Sequence, residues 1–319
     1  MFKKSILILF LMISPALAQD PQPATPQPAE AKPAEVQDEE SPKDTQDGFI
    51  TLDAGIHFTT HYLMRGIPQE DKGVIGQPWI ELQMHLYRGN GFITDMYLYG
   101  RSWNSFHSGP TGTEDNSTSD RSSWYETQFT AGGGLEFFHV LTVSGGYTFR
   151  HSPNDSFVTS EELFVRGTIQ DKRLWNLSGD VGGWKLEFEG VRPHGMFAWE
   201  TSKQRDNGLN RGVYAEVGAE PGLTLSPSEH FSFSLSVPFA VGFNVFEYYE
   251  VQNKGDAPFG YFRLGFRGTV PLKFIPDNYG QWSLYGGLDW YKLGQNVANG
   301  FNDGENDELI GSGGLVFHY

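Results

Sequence analysis

The 319-residue chain contains no cysteine, which excludes a disulfide scaffold, a thiol nucleophile, a cysteine-ligated metal and an acyl-cysteine lipid anchor. It also lacks an apolar run of about 18 residues, the length that a membrane-spanning helix requires. Basic residues are scarce, because 23 Lys and Arg stand against 39 Asp and Glu. Nucleic-acid binding depends on clusters of Lys and Arg, so the composition excludes nucleic acid as a partner.

The first residues have the three parts of a secretory signal. Lys3 and Lys4 precede an apolar stretch from Ile6 to Ile13, and Ala16-Leu17-Ala18 follows as a small-residue cleavage site. Residues 1–18 are therefore predicted to be a signal peptide that exports the chain to the periplasm. The alternative is a membrane anchor that is retained.

Residues 19–47 are rich in Pro, Ala, Gln and acidic residues, with six prolines and no aromatic residue. Such a segment cannot bury enough apolar surface to fold, and its prolines favour extended chain. It is predicted to be a disordered linker. We expect it to serve either as a solubilising leader or as a tether that reaches into the periplasm or to the cell wall.

From Gly48 the sequence alternates between apolar and polar residues with a period of two, which indicates strands with two different faces. In the first segment the even positions are mostly apolar and the odd positions mostly polar. The apolar set is Ile50, Leu52, Ala54, Ile56, Phe58, Tyr62 and Met64. Residues 48–319 are predicted to form one all-β domain.

Two features favour a membrane barrel over a soluble sandwich. Short connections such as Arg88–Gly91 alternate with long polar loops at 104–123, 247–258 and 294–307. Aromatic residues also concentrate near strand ends, as expected at membrane interfaces; examples are Phe49, Tyr62, Trp79, Tyr87, Trp103, Trp124, Tyr147, Phe259, Trp282 and Trp290. We predict a transmembrane antiparallel up-and-down β-barrel of about 12 strands, or 14 if residues 174–190 add a hairpin.

The last strand ends on an aromatic residue. Leu315, Phe317 and Tyr319 share one face of this strand. The pattern resembles the C-terminal signal by which bacterial outer-membrane proteins are recognised for assembly. The expected partners are therefore the barrel-assembly machinery, outer-membrane lipid and lipopolysaccharide.

The segment HYLMRGIPQ places Tyr62, Arg65, Gly66 and Gln69 in a Tyr-x-x-Arg-Gly-x-x-Gln arrangement. It resembles the opening of the TorF-like family of porins, which are Gram-negative outer-membrane barrels. The likeness continues in SEELFVRGTIQD, VRPHGMFAWETS and GVYAEVGAEPGL. The resemblance implies a barrel and a pore, and it supplies neither a substrate nor a catalytic residue. Arg65 either orients the first outer loop through hydrogen bonds or reaches water at the interface.

Alternation also predicts which charged residues face the lumen. The candidates are Asp53, Glu81, Asp95, Arg101, Glu126, Arg150, Arg263 and Arg267, and the same rule turns Arg65, Glu136, Glu162, Arg166, Glu216 and Asp289 inward. Such charges either set a field for permeating solutes or pair and fill the lumen. A bore of about 12 strands is narrow compared with the 16 to 18 strands of wide channels.

His57 and His61 do not make a metal site, because residues four apart on a strand lie about 13 Å from each other. No cofactor motif is present, and no cofactor or metal is expected. The leading functional prediction is a porin-like channel for passive diffusion of small hydrophilic solutes, and not an enzyme. The alternatives are a barrel enzyme that hydrolyses lipid or peptide, for which we find no nucleophile motif, and a structural or tethering barrel without an open pore.

Overall fold

The structure is a computed structural model that describes residues 49–109, 122–202, 211–228, 231–251 and 255–319. The predicted signal peptide and linker lie outside these residues. The first described strand begins at Ile50 and the last ends at His318.

The described residues form strands joined by turns and two short helices. In chain order these are β1 Ile50–Thr59, β2 Tyr62–Met64, β3 Ile67–Glu70, β4 Ile75–Arg88, β5 Ile93–His107, β6 Trp124–Phe137, β7 Leu141–His151, β8 Ser160–Ile169, α1 Lys172–Trp175, β9 Ser178–Val181, β10 Trp184–Phe188, β11 His194–Glu200, β12 Val213–Ala219, β13 Gly222–Ser228, β14 Phe231–Ser236, β15 Phe239–Phe246, β16 Phe259–Pro271, a 3-10 turn Asp277–Tyr279, β17 Gln281–Leu293, α2 Gln295–Phe301 and β18 Asp307–His318. Neither helix has the length and apolar character needed to cross a membrane.

Twelve strands form a closed antiparallel barrel, as predicted. Around the wall the order is β1, β4, β5, β6, β7, β8, β11, β12, β15, β16, β17 and β18. The barrel closes because β1 pairs with β4 on one side and with β18 on the other. At the seam Leu52 and Tyr319 exchange two backbone hydrogen bonds of 2.8 and 2.9 Å.

The wall has a turn end and a loop end. At the turn end lie residues 49 and 319 and the connections at 89–92, 138–140 and 272–280. Phe138 and His139 both have φ of 55°, as the two central residues of a type I′ turn require. The loop end carries the connections at 60–74, 152–159 and 294–306. Helix α2 lies within the last of these, where the sequence predicted only a loop.

Residues 174–190 add structure outside the closed wall. Strands β9 and β10 form the hairpin that the sequence suggested, and β10 pairs with β13, which pairs with β14. Strands β12 and β13 run in succession with Pro221 between them, and β14 and β15 with Pro238 between them. Proline cannot donate to a ladder, so each long strand is interrupted there. The extra hairpin does not enter the barrel, and the count of 14 is wrong.

The alternation places apolar side chains outside and polar side chains inside. On β4, Leu82 is 50% exposed, whereas His85 on the opposite face is 6% exposed. Successive residues of a strand point to opposite faces, so each strand of the wall contributes to an outer apolar belt. Other exposed members of this belt are Leu98, Phe129, Val165, Phe197, Phe266 and Leu288.

The prediction for the first strand was wrong beyond Thr59. The Thr60 backbone N–H donates to the Gly311 carbonyl, and the chain then leaves the wall. Tyr62 and Met64 are buried at 1% and 2% exposure instead of facing outward. The even-numbered apolar pattern continues across the turn because these residues pack against other side chains inside the barrel. Trp79 and Trp103 also lie inside, so they are not interfacial.

Candidate constriction inside the barrel

A hairpin formed by β2 and β3 lies inside the barrel at the loop end. We call residues Tyr62–Glu70 the lumen hairpin. Its two strands pair with each other as a separate two-stranded sheet and make no ladder with the wall. Residues 62–70 are all buried except Pro68, which is half-buried. The hairpin is therefore held by side chains and by its two ends.

The tip of the lumen hairpin is a tight turn at Arg65 and Gly66. Their φ angles are 51° and 83°. A two-residue turn with positive φ at both positions matches the twist of the flanking strands, and glycine accepts this conformation without strain. Arg65 does not have that freedom. Its interactions must therefore stabilise the left-handed conformation.

Arg65 is completely buried and joined to the far side of the barrel. Its Nη2 donates to Glu162 at 2.6 Å, and Arg150 donates to the same carboxylate at 2.8 and 3.1 Å. Glu162 lies on β8, the fifth strand along the wall from β1. The hairpin and this ion pair therefore connect the end of β1 to a strand five positions away along the wall. Arg65 does not reach water, which removes one of the two sequence-based interpretations.

Tyrosines surround the Arg65 tip. The guanidinium lies over the rings of Tyr214 and Tyr248 at 4.6 and 5.4 Å from their centroids. The Tyr249 hydroxyl donates to the Arg65 carbonyl at 2.8 Å. Desolvated cation–π contacts of this kind are worth about 2 kcal/mol. They compensate for part of the cost of burying the charge.

The strands of the hairpin are fixed by a second set of polar contacts. The Tyr62 hydroxyl donates to Glu126 at 2.8 Å, and the Tyr125 hydroxyl donates to the Gln69 side-chain carbonyl at 3.0 Å. At the base, His61 is hydrogen-bonded to Glu308 at 3.1 Å, and this bond raises the pKa of the imidazole. Contacts thus reach β6 and β18 as well as β8.

Two clusters of buried side chains pack around the hairpin. One contains Leu63, Ile67, Met196, Ala198, Tyr214, Tyr248, Tyr249, Tyr261, Tyr291, Leu293, Val297, Ala298 and Ile310. The other contains Tyr62, Ile75, Trp79, Trp103, Tyr125, Tyr285 and Val316. Within the described residues the lumen is filled at this level.

Toward the turn end the lumen is lined by charged groups. Arg263 donates to Asp289 at 2.7 Å, Arg101 lies over the Trp79 ring at 5.1 Å, and Arg267 lies 4.0 Å from Glu220. A cavity of about 20 Å³, lined by both polar and apolar side chains, lies between the hairpin and this region. This volume is enough for one water molecule.

All eight charged lumen candidates face inward. They lie at three levels: at the hairpin, directly below it, and near the turn end. Arg150 and Glu126 contact the hairpin or its partner, whereas Arg101, Arg263 and Arg267 lie below it. Glu81 accepts a bond from Gln83 at 2.7 Å. Asp53 pairs with His318 at 2.7 Å and Asp95 with His85 at 2.9 Å near the turn end, away from the hairpin.

The motif residues Tyr62, Arg65, Gly66 and Gln69 all belong to the lumen hairpin. The sequence did not indicate that Tyr248 and Tyr249 would turn inward, because they belong to a segment predicted as a polar loop. The available signal was the adjacent pair of tyrosines, which is unusual in a solvated loop. Leu315 and Phe317 lie on the outer face of β18, and Phe317 stacks with Tyr319, which directly follows the strand. The role of these three residues in assembly stays a prediction.

The fold and the site define a closed 12-stranded β-barrel whose lumen is crossed by its own hairpin. No family model and no curated protein matches the chain. The membership in the TorF-like porins therefore stays a prediction.

Several solved barrels are similar to the chain. The COG4313 outer membrane channel from Pseudomonas putida F1 has 10% identity and a TM-score of 0.42, with 88% of this chain and 100% of that chain covered. LpxR from Salmonella typhimurium has 9% identity and a TM-score of 0.43, with 83% of this chain and 99% of that chain covered. The NanC porin has 13% identity and a TM-score of 0.37, with 83% of this chain and 98% of that chain covered.

Proposed function

We propose that the protein is an outer-membrane channel that conducts small hydrophilic solutes through a narrow passage controlled by the lumen hairpin. The observation that carries the proposal is the hairpin's attachment. It crosses a lumen lined by charged side chains, yet it has no ladder with the wall. An element held by side chains can be displaced without opening the barrel itself.

The outer surface supports the membrane location. An apolar belt on a barrel with a polar interior is the arrangement expected in lipid, where only the outward residues meet acyl chains. Leu82 and Gln83 are adjacent residues near the middle of β4, one facing out and the other in. They offer a matched pair for testing this orientation.

Leu82→Arg is expected to lower the free energy of unfolding in lipid vesicles by about 2 to 4 kcal/mol, the cost of a lipid-facing arginine at the bilayer midplane. Gln83→Arg should change it far less, since the new guanidinium would enter the lumen beside Glu81. Denaturant titration of both refolded variants measures the difference. Equal effects of the two substitutions would contradict the lipid-facing orientation.

The channel itself is tested by conductance. Purified refolded protein in a planar lipid bilayer should give small, discrete current steps. A variant in which residues 62–70 are replaced by a short Gly-Ser link should give steps several-fold larger, because the segment that fills the lumen is gone. Folding of both proteins is checked by the heat-dependent shift in gel mobility that intact barrels give.

Two results would overturn the proposal. Silence of both folded proteins at high protein load would favour a structural barrel with a filled interior. Steps of identical size from both proteins would show that the current does not pass the hairpin. Hydrolysis of lipid or peptide substrates by the silent protein would instead favour the enzyme alternative.

A further inference from the structure

Arg166 is a lumen arginine without a partner. It lies on the inner face of β8, directly opposite Ser144 on β7 and Met196 on β11, neither of which carries a charge. Within the described ranges its guanidinium makes no hydrogen bond or ion pair, and its Nε is shielded from solvent and unsatisfied. Other lumen arginines have carboxylates, as Arg65 and Arg150 have Glu162 and Arg263 has Asp289.

Two tyrosines lie along the wall beside Arg166. Tyr99 of β5 extends over the bare inner face of β6 and β7. A Cβ added at Gly132 would lie 2.7 Å from its hydroxyl, and one added at Gly146 would lie 3.0 Å from it. Tyr97 lies in the same way over Gly134. The glycines let both rings lie flat, so the Tyr99 hydroxyl reaches β7, the neighbour of β8, and the Tyr97 hydroxyl reaches β6.

The two hydroxyls are available as donors. Neither Tyr97 nor Tyr99 has a side-chain hydrogen-bond partner in the part of the chain that the structure describes. The Tyr99 hydroxyl, Arg101 and the carboxylates of Glu81 and Glu216 are the electrostatic neighbours of Arg166. Glu216 already accepts hydrogen bonds from Tyr214 and Tyr261, and Glu81 accepts one from Gln83. Neither carboxylate lies within ion-pair distance of Arg166.

Arg166 is half-buried, and its shielded Nε has lost water without gaining a protein partner. A desolvated cation without a counter-charge is costly unless a ligand provides one. A guanidinium presents a planar fork that fits two oxygens of a carboxylate or phosphate. Tyrosine hydroxyls can donate to the remaining oxygens. The group therefore has the composition of an oxyanion site, on the turn-end side of the lumen hairpin.

We propose that Arg166, with the hydroxyls of Tyr97 and Tyr99, binds a small solute that carries a carboxylate or phosphate group, and that this site makes the passage anion-selective. The selectivity rests on the proposed channel function, whereas the binding does not. Two separate measurements therefore test the two parts.

Binding is measured by calorimetric titration of the folded protein in phosphate-free detergent buffer with inorganic phosphate and, separately, with succinate. The wild-type protein should bind at least one of these probes. Arg166→Gln should weaken that binding by at least about tenfold, because a charged hydrogen-bonding group is lost. Arg166→Lys keeps the charge and should weaken it less. Arg173→Gln, on the short helix α1 outside the lumen, is the matched control and should bind like the wild type.

Selectivity is measured as the zero-current potential across a potassium chloride gradient, with the variant that lacks residues 62–70. Arg166→Gln in that background should move the potential toward cation selectivity, and Arg173→Gln should leave it unchanged. Wild-type protein that binds neither probe, or binding that Arg166→Gln preserves, would overturn the site. Binding that Arg166→Gln abolishes in a protein whose bilayers stay silent would support the site and contradict only the channel.

Discussion

Replacing Arg65 with alanine is expected to release the lumen hairpin and to increase the single-channel current several-fold. The substitution removes the ion pair with Glu162 and the cation–π contacts with Tyr214 and Tyr248. It also leaves the turn conformation with φ of 51° without the contacts that stabilise it. Planar-bilayer recording of the folded variant beside the wild type measures the change.

The same substitution should also lower stability. Removing one partner of a buried ion pair typically costs about 3 to 5 kcal/mol. We expect the low end of that range, because Glu162 keeps both hydrogen bonds from Arg150 and is not left alone. Denaturant unfolding in lipid vesicles provides the value.

Two further substitutions separate charge from geometry at the tip. Arg65→Lys keeps the charge, but a compact ammonium group cannot pair with Glu162 and lie flat over a tyrosine ring in the same way. Its current should fall between those of wild type and Arg65→Ala. Glu162→Gln should also release the hairpin, since it leaves Arg65 and Arg150 facing each other without the carboxylate. A large stability loss with unchanged current in all three variants would mean that the hairpin is a structural plug only.

The wall of the barrel was predictable because each strand has one face toward an apolar exterior and the other toward a polar interior. Leu82 faces outward and is apolar, whereas Gln83 faces the lumen and is polar. The alternation of apolar and polar residues with a period of two therefore predicts the two faces of the strand. The inward orientation of Arg101, Arg150 and Arg263 follows from the same rule. No contact between distant strands was needed to obtain it.

The lumen hairpin was not predictable from alternation. Tyr62 and Met64 are apolar and even-numbered like Phe58, so the pattern does not reveal that the chain turns inward after Thr59. An apolar side chain packed against tyrosines inside the barrel and one packed against lipid look the same in a sequence. The motif marked Arg65 and Gly66 as unusual, but their partners Glu162 and Tyr261 lie about 100 and 200 positions away.

The role of Gly66 leads to the second large effect. A Cβ at this position would lie 2.9 Å from Cδ1 and 3.1 Å from Cβ of Tyr261. The φ of 83° is in the left-handed region, which costs an L-residue roughly 1 to 2 kcal/mol. Overpacking against a buried ring adds about 1 to 3 kcal/mol. Gly66→Val should therefore destabilise the inward position of the hairpin.

The expected result for Gly66→Val is a larger current, as for Arg65→Ala, with a comparable loss in the free energy of unfolding. Gly100→Val is the matched control. Gly100 is exposed on the outer face of β5, and an added Cβ there would meet nothing within 4 Å. That variant should conduct like the wild type and unfold at a similar denaturant concentration.

The double variant decides whether the hairpin acts as one unit. If Arg65 and Gly66 both hold the same element inside the lumen, either substitution alone releases it, and the second adds little. The current of the Arg65→Ala, Gly66→Val protein should then match that of each single variant, and the stability losses should be less than additive. Full additivity of the stability losses, with a further increase in current, would show two independent contacts instead. In that case each substitution would displace the hairpin only partly, and no single side chain would control the passage.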